Sequence, residues 1–286
     1  MDNKKFYEYT KKYALNQLSE YYVKEEKLSN ADAVKKAEIK INSLIKPAAN
    51  YDINNKDVTL KDIFVRLIIS CQNRKIVSNV IKFSDRKEQF ARILQGFDYA
   101  KILTKYKTSE NLYNVFEKEF NVNRDHNGSW VLFSKSVMDA AKFISKFKDV
   151  EDFKRMINNI AIHFPYSMMI PKMISEEIDG MGEILACDFI KEIGYVDFAK
   201  PDVHIDAIIK TLKGRDMKPK EVLMEVQNIA TAANTTTFEI DKLLWLVSSG
   251  KYYDVEGKEK TIQIKNKESG ISLRDEFLKS LTDCIV

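Results

Sequence analysis

An all-α fold is what this sequence predicts, and three observations predict it. Of 286 residues only 9 are Gly and 5 are Pro, where average usage of about 7% and 5% would give roughly 20 and 14. The chain is rich in Lys, Glu, Ile and Leu, which enter helices at little cost. Apolar residues also recur at three- and four-residue spacing almost throughout, the period of an amphipathic helix. With 44% hydrophobic and 31% charged residues the composition is that of a globular protein. Disorder, collagen-like repeats and a strand-dense sandwich are excluded.

The elements follow in order. Residues 1–18 are rich in Lys and Tyr and lack the apolar stretch of a signal peptide. Residues 31–45 place Val34, Ala37, Ile41, Leu44 and Ile45 on one stripe, and Pro47 closes the helix. Thr59 with Asp62 reads as a capping box, opening a helix over 60–71 that buries Ile63, Phe64, Leu67 and Ile68. Ser84 caps a helix over 85–106 with Phe90, Ile93, Leu94 and Phe97 inward. Further helices fit 110–120, 134–147, 150–162, 171–178, 183–193, 203–212, 219–232 and 238–247. Residues 121–129 and 248–260 read as loops, with a short extended pair within 252–264.

A balance of 46 Lys+Arg against 42 Asp+Glu leaves +4, which permits an anionic partner without demonstrating one. Cys71, Cys187 and Cys284 are odd in number and far apart, so no disulfide framework, zinc ribbon or iron–sulfur run is drawn from them. No apolar run approaches 18 residues, so no membrane span is expected. The protein reads as cytosolic.

One stretch differs from the rest. Ile178-Asp179-Gly180-Met181-Gly182-Glu183-Ile184-Leu185-Ala186 sets two glycines, two apart, between one amphipathic helix and the next. Such a hairpin turns its amides outward, and glycine there tolerates φ > 0 and close approach of another backbone. The helix from Glu183 adds free N–H groups and a positive dipole end, which suits phosphate. A plain helix–helix turn has the same pattern. Downstream, Pro201-Asp202-Val203-His204-Ile205 places Asp202 at the N-cap of a helix.

The two boxes and their separation resemble the helix–hairpin–helix DNA glycosylases of the endonuclease III superfamily. Leu67-Ile-Ile-Ser-Cys71-Gln72 resembles a third box of that family. The resemblance covers roughly 60–247. It implies two lobes with a DNA-binding cleft between them, one of residues 52–194 and a discontinuous one of 1–51 with 195–286. It also implies a base-flipping DNA N-glycosylase acting as a monomer on double-stranded DNA. Asp202 would face the glycosidic bond and stabilise oxocarbenium charge. Gly180, Met181 and Gly182 would grip phosphate, and Gln72 would enter the duplex where the nucleotide was flipped out.

Departures carry information. Bifunctional relatives place a lysine two residues after the second hairpin glycine; Ile184 stands here, implying a monofunctional enzyme without an efficient lyase step. The relatives' C-terminal four-cysteine cluster is absent, so no iron–sulfur cluster is expected and no cofactor is required. A monovalent cation on hairpin carbonyls is implied by the resemblance alone. Asp179 replaces the usual hairpin proline, and 98–130 looks inserted.

Phe164 and Tyr166, before the hairpin helix, are candidates with Ile184 for the base pocket. Arg74 and Lys75, with Lys82, Arg86 and Lys87, are candidates for phosphate contact, though a solvated face reads the same. His204 is expected to be a structural hydrogen-bonder, and Met168, Met169, Met173 and Trp245 to be core. His126 and His163 have no ligand-spaced companions. The excised base stays open, whether damaged in repair or hypermodified, as in phage DNA, in defence. A non-catalytic helix–hairpin–helix DNA-binding protein, in which Asp202 only caps, is the alternative.

Overall fold

A computed structural model describes residues 1–74, 77–122, 128–161, 169–253, 261–265 and 270–285. The chain forms two compact units, Met1–Ala48 with Tyr195–Val286, and Ala49–Gly194. All-α architecture holds in both, with one two-stranded antiparallel pair among the described residues.

The first unit opens with α1 (Asn3–Glu25), capped by Asp2, and α2 (Asn30–Leu44), capped by Ser29. Phe6, Thr10, Ala14, Leu18 and Tyr22 of α1 repeat every four residues and are buried, the stripe a helix turns inward. That face mixes small, hydroxyl and aromatic side chains, so its apolar period is weak in the sequence. α1 is the longest helix among the described residues and was not foreseen.

The second unit holds α3 (Leu60–Gln72), α4 (Val77–Ile81), α5 (Lys87–Ile93), α6 (Tyr99–Lys105), α7 (Ser109–Phe120), α8 (Gly128–Ile144), α9 (Val150–Ala161), α10 (Met169–Glu177) and α11 (Glu183–Glu192). The capping box at α3 is formed: the Thr59 hydroxyl takes the Asp62 amide, and the Asp62 carboxylate takes the Thr59 amide at 2.9 Å. The single helix expected over 85–106 is instead broken. Gln95, Gly96 and Phe97 all have positive φ, at 52°, 65° and 63°, which no right-handed helix accommodates. α8 runs through the middle of this unit and packs on α3, α4, α6, α7 and α10. Phe90, Phe116, Phe120, Trp130 and Phe133 form one aromatic cluster there.

The first unit resumes with α12 (Val203–Lys213), α13 (Pro219–Ala233), α14 (Thr237–Ser249), β1 (Lys251–Tyr252), β2 (Ile262–Gln263) and α15 (Leu273–Ile285). The short extended pair expected within 252–264 is this ladder, Lys251 opposite Gln263 and Tyr252 opposite Ile262. Tyr252 is buried, with its hydroxyl 2.8 Å from Gln17 Oε1 on α1. Contrary to expectation, Met169 is exposed, while Met173 and Trp245 are half-buried. Among the described residues, no helix is long and apolar enough to cross a membrane.

Candidate functional site

The hairpin joins α10 to α11 in the second unit, and its two glycines do different work. Gly180 has φ +83°, and a Cβ there would lie 2.7 Å from Leu132 Cδ1 and 3.0 Å from Ser136 Oγ on α8. Positive φ and close approach both demand glycine. Ser136 Oγ donates to the Asp179 carbonyl at 2.6 Å, and the Asp179 amide donates to Asp139 Oδ2 at 3.3 Å. The turn is thus braced from behind by α8. Gly182 has φ −79° and ψ 167° and serves as N-cap of α11, so the expectation of positive φ is corrected there. A Cβ on it would meet nothing within 4 Å. What its missing side chain supplies is open space at the mouth of the turn.

Met181 is a correction too. Its side chain is buried, and its amide donates to the Ile178 carbonyl at 3.1 Å, so neither points outward. The outward donors lie one residue further. Among the described residues, the amides of Gly182, Glu183 and Ile184 have no hydrogen-bond partner. These are the orphan N–H groups of a helix start. Ile184 is 37% exposed, an aliphatic side chain on the first, outward turn of α11.

Lys191, further along α11, is buried and ion-paired with Glu192 at 2.6 Å. It is not an available amine.

Gln72 is turned inward in this structure. It is 6% exposed, and its Oε1 accepts the Phe83 amide at 3.1 Å. A side chain holding a buried backbone N–H closes a loop; entering a duplex would break that bond and strand the amide. Arg74 is exposed. Arg86 lies over the Phe120 and Trp130 rings, at 5.2 and 6.0 Å, so its guanidinium is engaged in cation–π contact. Lys82 and Lys87 are exposed. Lys75, His126, His163, Phe164, Tyr166 and Met168 lie outside the described residues.

In the first unit, Asp202 caps α12 with φ −82° and ψ 179°. Its Oδ1 accepts the His204 amide at 2.9 Å and the Ile205 amide at 3.3 Å. Both bonds go to one oxygen, which leaves Oδ2 open among the described residues. Two backbone donors and the helix dipole orient the group. Beside it Val203 is 70% exposed, far more than an isolated core-type side chain needs to be. Sequence reasoning did not single it out.

His204 is not the expected hydrogen-bonder: its Nδ1 is buried with no partner among the described residues. Burial pushes its pKa down. The Asp202 carboxylate opposes that, and Arg274, Lys200 and Lys251 add to it.

A solved structure shares the fold: the Methanocaldococcus jannaschii 8-oxoguanine glycosylase/lyase in complex with a 15mer DNA containing 8-oxoguanine. The TM-score is 0.50 at 16% identity, over 84% of this chain and 99% of that chain. The fold is one found in a DNA glycosylase. No family model matches the chain, and no curated protein matches it.

Other chemistry has little support here. Burial pushes the Cys71 thiol up to about 12, so it is no nucleophile. Among the described residues, no group of three or more His, Cys, Asp or Glu is placed to hold a metal.

Proposed function

We propose that the protein is a DNA N-glycosylase that flips a damaged or modified base and hydrolyses its bond to deoxyribose. The observation that carries this reading is Asp202: a carboxylate fixed by two amides, with one oxygen open, in a chain whose fold is shared with a glycosylase. As the bond from C1′ to the base nitrogen lengthens, positive charge grows on the sugar, and a fixed carboxylate stabilises it. Water adds its oxygen to C1′, the departing base takes a proton, and an abasic site remains. The hairpin amides of Gly182, Glu183 and Ile184 take backbone phosphate, which positions the duplex without reading its sequence. Exposed Arg74 is assigned to the same backbone, and Val203 to contact beside the reacting sugar.

The enzyme is monofunctional in this reading. A lyase step needs an amine that attacks the sugar. Ile184 supplies an alkyl group at the family's lysine position, and Lys191 is buried in an ion pair. The M. jannaschii protein is named as a lyase as well, and the proposal parts from it at this residue. No cofactor enters the reaction.

The test is strand release from duplexes carrying a panel of damaged and hypermodified bases, with and without hot alkali. Breaks that appear only after alkali support the proposal, and the base that gives them separates repair from defence. No release from any duplex, with binding retained, favours the non-catalytic DNA-binding alternative.

A further inference from the structure

Asp188 lies on the hairpin helix α11 and is 5% exposed. A carboxylate that deep has to be paired and hydrogen-bonded to remain inside. Its partners come from the C-terminal half of α3. Oδ2 accepts from Arg66 Nη2 at 3.2 Å, from Ser70 Oγ at 3.0 Å and from Asn73 Nδ2 at 3.3 Å. Lys191 Nζ stands 3.8 Å from Oδ1.

The last of the three donors matters most. Arg66 and Ser70 lie within α3, but Asn73 is its C-cap and begins the loop that carries exposed Arg74. Asp188 lies about 7.5 Å along α11 from Glu183, at about 1.5 Å per residue. The Asn73 bond therefore ties the C-cap of α3 to the middle of that helix. Gln72, bonded to the Phe83 amide, ties the end of α3 to the chain that follows α4.

A buried ion cluster is a weak source of stability, because a well-packed apolar set of equal volume does as well. What this cluster supplies is register between two elements. We propose that Asp188 is a positioning residue for DNA binding: by holding Asn73 it fixes Arg74 relative to α11, whose first turn bears the free amides, so that both meet one phosphate backbone. The inference rests on the DNA-binding reading above and adds a residue that contacts no DNA itself.

Asp188→Ala removes a buried carboxylate from beside two buried cations and unfolds the unit. The informative variant is Asn73→Ala, which deletes only the loop's own bond. Binding to an unmodified duplex is followed by fluorescence anisotropy over a salt series. Each phosphate contact contributes about 0.9 to the slope of log affinity against log salt. Arg74→Ala should lower that slope by about one. Asn73→Ala, with every charge retained, should lower it by a comparable amount. The double variant should fall no further than either single one, since both remove the same contact. An unchanged slope in Asn73→Ala, or additive losses in the double variant, overturns the positioning role while leaving the DNA-binding reading intact. Failure of the wild type to bind any duplex overturns both.

Discussion

Gly180 and Gly182 stand two residues apart, and exchanging each for alanine should give opposite results. At Gly180 the backbone has φ +83°, which costs a side-chain-bearing residue about 1–3 kcal/mol. The new Cβ also lies 2.7 Å from Leu132 Cδ1 and 3.0 Å from Ser136 Oγ. Leu132 must shift, and Ser136 is the residue that holds the Asp179 carbonyl. Overpacking of this kind costs about 1–3 kcal/mol. A total of about 2–6 kcal/mol lowers the melting temperature of the Ala49–Gly194 unit by roughly 4–24 °C, at about 2–4 °C per kcal/mol. Gly182→Ala meets open space at φ −79° and costs less than about 1 kcal/mol, the difference between glycine and alanine at an N-cap. Its methyl group, however, stands between the free amides and an approaching phosphate. Losing one hydrogen bond to a charged group, about 1.5 kcal/mol or more, weakens duplex binding roughly tenfold. Thermal unfolding and anisotropy on the same two variants read both effects. Equal destabilisation by the two substitutions would refute the division of labour between the glycines.

Two further predictions concern the chemistry and the pH response. A duplex with a preformed abasic site should be left uncut by the wild type, with little adduct trapped by borohydride, whereas Ile184→Lys places an amine on the exposed first turn of α11 and should trap more; efficient trapping by the wild type contradicts the monofunctional assignment. His204 has its pKa depressed by burial, so the unfolded chain binds more protons than the folded one as pH falls below the ordinary histidine value of about 6.5. Stability should be full above that pH and decline below it until the folded pKa is passed. His204→Phe should flatten the slope in denaturant titrations across that window, and an unchanged slope would assign it to other groups.

The parts of this molecule legible in its sequence are those governed by local chemistry. Thr59 and Asp62 form their capping box because both partners lie within one turn. Asp202 was readable as an N-cap because Pro201 precedes it and an amphipathic helix follows. The hairpin was readable from two glycines, yet their roles were not, since which one needs positive φ depends on α8 packing behind Asp179. The bond Gln72 makes was hidden for the same reason: its partner, the Phe83 amide, is set by tertiary structure. Helix α1 escaped notice because Thr10, Ala14 and Tyr22 make its buried stripe only weakly apolar. The break at Gln95–Phe97 carried just one glycine as its signal. Asp188 gave none, because an aspartate on an apolar helix face looks misplaced until Arg66, Ser70 and Asn73 are seen around it.

Asp202→Asn tests the central claim most directly. Asparagine caps a helix as well as aspartate does, so α12 and the fold survive while the charge disappears. With a duplex that the wild type cleaves, single-turnover base release is measured for both proteins alongside DNA affinity. Removing several kcal/mol of transition-state stabilisation, at about 1.36 kcal/mol per decade, slows the variant by roughly a hundredfold or more. The account predicts that loss with affinity and melting temperature retained. A variant that releases base at a near-normal rate would show that Asp202 is a cap and nothing more.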